Sequence, residues 1–388
     1  MKYRVECLTP VLAGDGNALS PIDYMVWKDQ INVLDQRRIF RLLAKGPRLD
    51  GYLNQVRRAD KLDFASWGGF AQNFAGRRIP FEHSSSTAFW NRLHAEHCHV
   101  PTFARNHNGA FLPGSALRGA LRTALVAANM DAATLAYVQS LFSSDRPPRR
   151  PGESAEQKAI GSDSGRPGLD PMKALAISDS ANVSPEIFKI YLLRTATLVE
   201  SKSGGARYAL GWKQSPRGAV EPRRVDDSTP AFAEMAAPGA VFEGAWMQRP
   251  QWDRPETARQ LRWRAPLSLP ALFEAANAYA SRCLEEHRKF AEITGLDGLA
   301  SALDRLAAVL AQIRSSGAAC LLSIGWGGGL LGKTALPDIG EDYRRILALQ
   351  PYYARAIRSG MPFPKTRRVV FLENRPATLP GWVKLEVT

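Results

Sequence analysis

Apolar and polar positions alternate from Tyr3 to Leu8, the period-two signature of a strand with one buried face, and Thr9-Pro10 ends it. Gly14-Asp15-Gly16 then turns the chain. Tyr24 to Trp27 and Ile31 to Leu34 read as two short strands around Lys28-Asp29, a hairpin. Asp35 is placed to cap a helix with Ile39, Leu42 and Leu43 on one face, stopped at Gly46-Pro47. From Leu49 to about Asn91 the pattern is irregular and helical, with basic pairs at Arg57-Arg58 and Arg77-Arg78. A cleaner helical stripe, Leu117, Ala120, Leu121, Ala124, Leu125 and Ala128, follows Pro113-Gly114, with Ser115 as the expected N-cap. Strand patterns return at Leu175 to Asp179, at Tyr191 to Glu200, and after the turn at Pro238-Gly239. Two helices come next, one striped by Leu272, Ala276, Tyr279, Cys283 and Phe290, the other by Leu299, Leu303, Leu306, Leu310 and Ile313. His287 sits beside the first stripe and reads as structural. Leu321 to Ile324 is an apolar strand, Pro364 to Phe371 enters another strand through three cations, and Trp382 to Val387 is the last.

Two stretches break this pattern. Residues 143–171 are rich in Pro, Gly, Ser and Arg and read as a disordered loop. Residues 201–224 are polar, basic and glycine-containing and read as a protruding hairpin or loop. At 388 residues the chain has room for two domains. Its net charge of +14 favours a polyanionic partner, and Arg, which far outnumbers Lys, pairs phosphates with a planar fork. No apolar run approaches the roughly 20 residues of a membrane-spanning helix, so no membrane partner is expected. Cys7, Cys98, Cys283 and Cys320 lie far apart with no C-x-x-C, which argues against a zinc ribbon or redox pair and fits a reduced, cytoplasmic protein.

The apolar strand at Leu321 empties into five glycines within eight residues, Gly325, Gly327, Gly328, Gly329 and Gly332, followed by Lys333 and Thr334. Such a loop offers unpaired backbone N–H groups to an anion, and Lys333 adds a charge beside them. Gly327 to Thr334 also matches the nucleotide-binding pattern G-x-x-x-x-G-K-[ST]. That pattern needs a helix opening at the Lys, and Pro337 follows too soon. A loop against a nucleic-acid backbone uses the same N–H chemistry without that requirement. Further candidates lie elsewhere. Arg118 and Arg122 are four apart and flank the apolar stripe of one helix, and Gly119 between them suggests a close backbone approach. Lys365, Arg367 and Arg368 add positive potential. His94, His97, His99 and His107, with Cys98, cluster within fourteen residues but fit no standard zinc spacing; a nuclease could use one as a general base. No metal or other cofactor is expected.

Leu8-Thr9-Pro10-Val11 with Gly14 and Gly16, Pro113 to Leu125, Ile177-Ser178-Asp179-Ser180, the glycine-rich loop and Pro364 to Arg368 occur in an order that resembles the RAMP superfamily of CRISPR proteins. With the closing Gly381-Trp382-Val383-Lys384-Leu385, the chain is most similar to the 3′-end subunit of type III-A (Csm) effector complexes. The resemblance implies an α+β fold of two ferredoxin-like (RRM-like) βαββαβ domains with helical insertions and glycine-rich loops. They would span 1–250, with a helical insertion at about 36–108 and the disordered loop at 143–171, and 251–388, with the glycine-rich loop at 325–334. It implies a non-catalytic subunit that binds guide RNA (crRNA) near its 3′ end, caps the complex and supports crRNA maturation and antiviral defence. Partners would be crRNA, other Csm-type RAMP subunits and host nucleases that trim the guide. RNA would lie on Gly114, Ser115, Arg118, Arg122, Gly325, Gly327, Gly328, Gly329, Lys333, Thr334, Lys365, Arg367 and Arg368. A crRNA-processing endoribonuclease of the same superfamily and a P-loop ATPase are the alternatives. Ala13 departs from the polar or His residue common after the first strand in this superfamily.

Overall fold

The computed structural model describes residues 1–46, 48–58, 61–62, 74–144, 146, 149–161, 170–201, 207–214, 224–249, 254–338 and 340–388. Its strands in the first part of the chain are β1 (Lys2–Cys7), β2 (Ala18–Leu19), β3 (Tyr24–Trp27), β4 (Gln30–Leu34), β5 (Ala75–Pro80), β6 (Val100–Pro101), β7 (Arg105–Asn106) and β8 (Gly109–Ala110). Later come β9 (Leu175–Ile177), β10 (Phe188–Glu200), β11 (Tyr208–Trp212), β12 (Ala231–Ala236), β13 (Val241–Gln248), β14 (Ala319–Ser323), β15 (Thr366–Leu372), β16 (Arg375–Thr378) and β17 (Trp382–Val387). The helices are α1 (Gln36–Leu43), α2 (Leu49–Arg58), α3 (Ser86–Arg92), α4 (Gly114–Ala128), α5 (Ala132–Phe142), α6 (Pro151–Ile160), α7 (Pro255–Gln260), α8 (Leu269–Thr294), α9 (Asp297–Ser316), α10 (Glu341–Ala348) and α11 (Pro351–Arg358).

The expected α+β class is borne out, with two large antiparallel sheets. One runs β14-β17-β1-β13-β9. The other is built on β10, which pairs β12 through its first half, β11 through its second, and β15 along its opposite edge, with β16 beyond. β10 is buried almost throughout, as a central strand covered on both faces must be. Each large sheet takes strands from both sides of residue 250. One apolar core joins them, from Tyr3 and Val5 through Leu192, Leu193 and Phe242 to Val383 and Leu385.

The long helices form as their stripes predict. Leu272, Ala276, Tyr279, Cys283 and Phe290 of α8 are buried, as are Leu299, Leu303, Leu306, Leu310 and Ile313 of α9. Gly295 and Gly317 end these helices in the left-handed conformation. The two pack on each other and on β14, and α8 also packs on α4. All four cysteines are buried thiols. A smaller lobe is centred on the β3–β4 hairpin, α1 and α2, with Met25, Leu34, Ile39, Leu43, Tyr52 and Leu62 at its core. Asp35 caps α1 by accepting the Arg38 N–H.

Several expectations are corrected. Leu42 points outward, 55% exposed, and Ala128 is exposed. The stretch read as irregular helix contains β5, whose Arg77 turns inward. Arg77 and Arg105 (2.5 Å) both pair with Glu234 of β12, a fully buried carboxylate that ties the hairpin lobe to the second sheet. Residues 143–171 are not wholly loop: α6 forms there, burying Ala159 and Ile160, while 145, 147–148 and 162–169 lie outside the described residues. In the 201–224 segment, Tyr208–Trp212 is a strand; 202–206 and 215–223 lie outside the described residues.

Candidate nucleic-acid interface

The glycine-rich loop divides into a pinned half and a free half. Past β14, Ile324 N–H donates to Gly381 O and Trp326 N–H to Leu12 O, each at 2.8 Å. Gly325 lies between these bonds with φ +73°, and a Cβ there would overlap the Leu12 carbonyl. Only glycine fits, so Gly325 serves the fold. Beyond Trp326 the N–H groups of Gly327, Gly328 and Gly329 find no acceptor among the described residues. The loop then closes as a turn, with Leu330 O accepting from Lys333 N and Thr334 N at 2.9 Å. No helix opens at Lys333, so the nucleotide-binding match lacks the element that would aim its N–H groups. Thr334 is buried, its hydroxyl 2.9 Å from Tyr343 Oη. Lys333 is exposed.

β15 runs alongside, and its alternation separates two neighbouring arginines. Arg367 points inward. Its Nε donates to His287 Nδ1 (2.8 Å), another nitrogen donates to Pro364 O (2.6 Å), and its plane covers Phe290 at 4.8 Å. It is 7% exposed and therefore serves the core rather than a ligand, contrary to expectation. Burial lowers its pKa to about 10. Burial first, and Arg367 second, hold His287 well below the usual imidazole range. A guanidinium has no acceptor, so His287 Nδ1 must be the unprotonated nitrogen and Nε2 carries the hydrogen. Arg368 points the other way. Its guanidinium lies 3.8 Å from the centroid of the Trp326 ring and makes no hydrogen bond or ion pair with a described residue. Burial lowers its pKa.

The same face of the second sheet carries a lateral row. Arg368 pairs across the ladder with Thr195, whose carbonyl accepts Lys213 N–H at 3.0 Å. Lys213 is lowered by burial first and by neighbouring Lys365 second. Two ammonium groups that influence each other, with no ion-pair partner among the described residues, raise the local positive potential. Sequence reading missed Lys213 and Trp326. The period-two spacing of β15 was the available signal for separating Arg367 from Arg368.

A cavity of about 310 Å³ opens between the free half of the loop and β15. His287, Ser323, Trp326, Gly327–Gly329, Lys333 and Arg368 contribute to its wall, and no described Asp or Glu does. On the other side of Trp326 lies an open groove of about 780 Å³, lined by residues 12–18, Pro113, Ser115, Ala116, Asp179 and Gly325. Thus all five segments that carry the family resemblance meet on one surface, with Trp326 shared by cavity and groove.

The remaining expected residues divide. Pro113, not Ser115, is the N-cap of α4, and Gly114 N–H donates to Asp179 Oδ1 at 2.9 Å. Gly114 is packed against the Ile177 and Ser178 carbonyls, while Ser115 is exposed on the groove. Gly119 is exposed with no described atom within 4 Å of its missing Cβ, so no described backbone approaches there. Arg118 is exposed. Arg122 is committed to Glu156 (2.7 Å) and Asp170 (2.6 Å), clamping α6 to α4. His94, His99 and His107 are exposed, His97 pairs with Glu96 at 3.3 Å, and no group of metal-ligating side chains occurs among the described residues. No helix among them is long and apolar enough to cross a membrane.

No family model matches the chain. A curated relative, the "CRISPR system Cms protein Csm5" of Methanocaldococcus jannaschii, is 26% identical over 203 residues, which is 50% of this chain and 46% of that protein. The chain thus spans about half the length of that relative. A solved Csm5 of T. onnurineus superposes with a TM-score of 0.63 at 18% identity, covering 98% of this chain and 99% of that one. A chain from a type III-A Csm–crRNA–target RNA ternary complex superposes with a TM-score of 0.62 at 20% identity, covering all of both. The fold is that of Csm5 along essentially the whole chain, and in sequence and fold together this protein resembles the RAMP-type Csm5 of type III-A CRISPR systems.

Proposed function

We propose that the protein is a non-catalytic RNA-binding subunit of a type III-A Csm effector complex, one that holds crRNA near its 3′ end, caps the assembly and supports crRNA maturation and antiviral defence. The observation that carries this reading is the convergence of the five family segments on one surface bordered by cations that have no carboxylate partner among the described residues. Lys213, Lys333, Lys365 and Arg368 contact phosphates, the N–H groups of Gly327, Gly328 and Gly329 donate to a phosphate oxygen, and Ser115 and Arg118 extend the track along α4. Such contacts position RNA without reading its sequence. Arg122, Arg367, Thr334 and Gly325 support this surface from beneath. The ferredoxin-like description of the two sheets, a cytoplasmic location, and the partners (crRNA, other Csm subunits, trimming nucleases) belong to the same reading.

The test is binding of single-stranded RNA across a salt series. Five phosphate-contacting cations, Arg118 included, predict a slope of log affinity against log salt of about −3.5. Lys213→Gln and Arg368→Gln should each flatten it by roughly 0.7. In a complex reconstituted with the other Csm subunits, the double variant should lose protection of the 3′ end of the guide. Salt-independent binding, or unchanged protection, overturns the reading.

A further inference from the structure

The cavity beside the glycine-rich loop is built differently from the open groove. Its deep wall is made by Leu331 and Trp382, each 1% exposed, and His287, 5% exposed. A strand entering it meets buried side chains on that wall. Its polar lining is rich in donors. The His287 proton is fixed on Nε2 because Nδ1 accepts from Arg367, and that Nε2 has no partner among the described residues. Gly327, Gly328 and Gly329 leave their N–H groups unspent. Arg368 is held flat by Trp326 with its N–H edges unspent, and Lys333 stands at the same cavity. Half-buried guanidinium groups ordinarily find an acceptor, and here none of the described residues supplies one.

We propose that this cavity receives a phosphate monoester, the terminal phosphate of an RNA chain, and so seats a chain end where the groove seats continuing backbone. The identity of the chain rests on the RNA-binding reading above; the anion chemistry does not. A monoester carries close to two charges at neutral pH against one for a diester, which suits two cations that no described carboxylate opposes. The volume of about 310 Å³ leaves room for the terminal sugar as well as its phosphate.

The experiment compares one short single-stranded RNA bearing a 3′-hydroxyl, a 3′-phosphate or a 5′-phosphate, and separately AMP against adenosine, on the full chain. A terminal phosphate should tighten binding about tenfold over the hydroxyl end, the effect of one added charge-assisted contact. The arm that gains tells which end enters. Lys333→Gln, at an exposed position, and Arg368→Gln should each reduce the preference toward unity with an unchanged melting temperature. If Arg368→Gln fails to fold, Lys333→Gln alone decides. Equal affinity for all three ends, with no gain of AMP over adenosine, overturns the proposal and leaves the RNA-binding reading standing. Failure to bind any RNA with AMP still preferred over adenosine removes the RNA reading and keeps the cavity as a phosphate-monoester site.

Discussion

Gly325→Ala separates what the glycine-rich loop does for the fold from what it does for a ligand. At φ +73° an L-residue pays about 1–2 kcal/mol. The new methyl also overlaps the Leu12 carbonyl, which accepts the Trp326 N–H; displacing it forfeits about 1 kcal/mol more. The sum is about 2–3 kcal/mol. An unfolding entropy of about 2.1 cal/mol/K per residue over 388 residues gives roughly 0.8 kcal/mol/K, so the melting temperature should fall by about 3–4 °C. Gly329→Ala is the control. Its φ is +64°, but no described atom lies within 4 Å of its Cβ position, so it should cost only the conformational share, about 1–2.5 °C. RNA affinity should show the opposite order, because Gly329 borders the cavity and Gly325 is locked to the sheet. Thermal melts and RNA titrations on the two variants decide. If Gly325→Ala melts with the wild type, or if it weakens RNA binding more than Gly329→Ala does, the division of the loop into a pinned and a free half is wrong.

Arg122→Ala should destabilise by about 1–3 kcal/mol, since it releases Glu156 and Asp170, yet leave the salt slope of RNA binding unchanged; calorimetry and titration test the pair of claims. Glu234→Ala strands Arg77 and Arg105 at a buried site and should cost about 3–5 kcal/mol in urea denaturation. His287 is held neutral in the folded state while the unfolded chain takes up its proton below about pH 6.5. Its contribution is therefore complete above that pH and lost as pH falls, by at most about 1.4 kcal/mol per pH unit. Melts from pH 7.5 to 5 should show this slope, and His287→Gln should remove it.

Long periodic elements were legible because burial alone shapes them. The stripes of α8 and α9, the alternation of β1 and the β3–β4 hairpin all sit where the pattern puts them. What escaped depended on partners distant in sequence. Arg77 in β5 reads as surface until Glu234, 157 residues away, neutralises it. α6 reads as loop because its anchors are Arg122 and two buried residues at its end. Ser115 looked like a cap, but Asp179, 65 residues on, receives the first N–H of α4. The glycine-rich loop stands out in the sequence, but its division by Trp326 was invisible, since that depends on Leu12, Gly381 and Arg368 arriving from three other segments.

The position of β1 has a consequence for how the molecule is made. It is flanked on one edge by residues 241–248 and on the other by 382–387. During synthesis β1 therefore has one edge uncovered until residues 241–248 emerge and the other until residues 382–387 do. Until then Tyr3, Val5 and Cys7 present an apolar face on an open edge, a setting that favours pairing with another nascent chain. The last strand also closes β14, so losing residues 382–387 would unseat the glycine-rich loop from the far side of the sheet. Completion of the sheet and seating of the glycine-rich loop should consequently appear together, as one event.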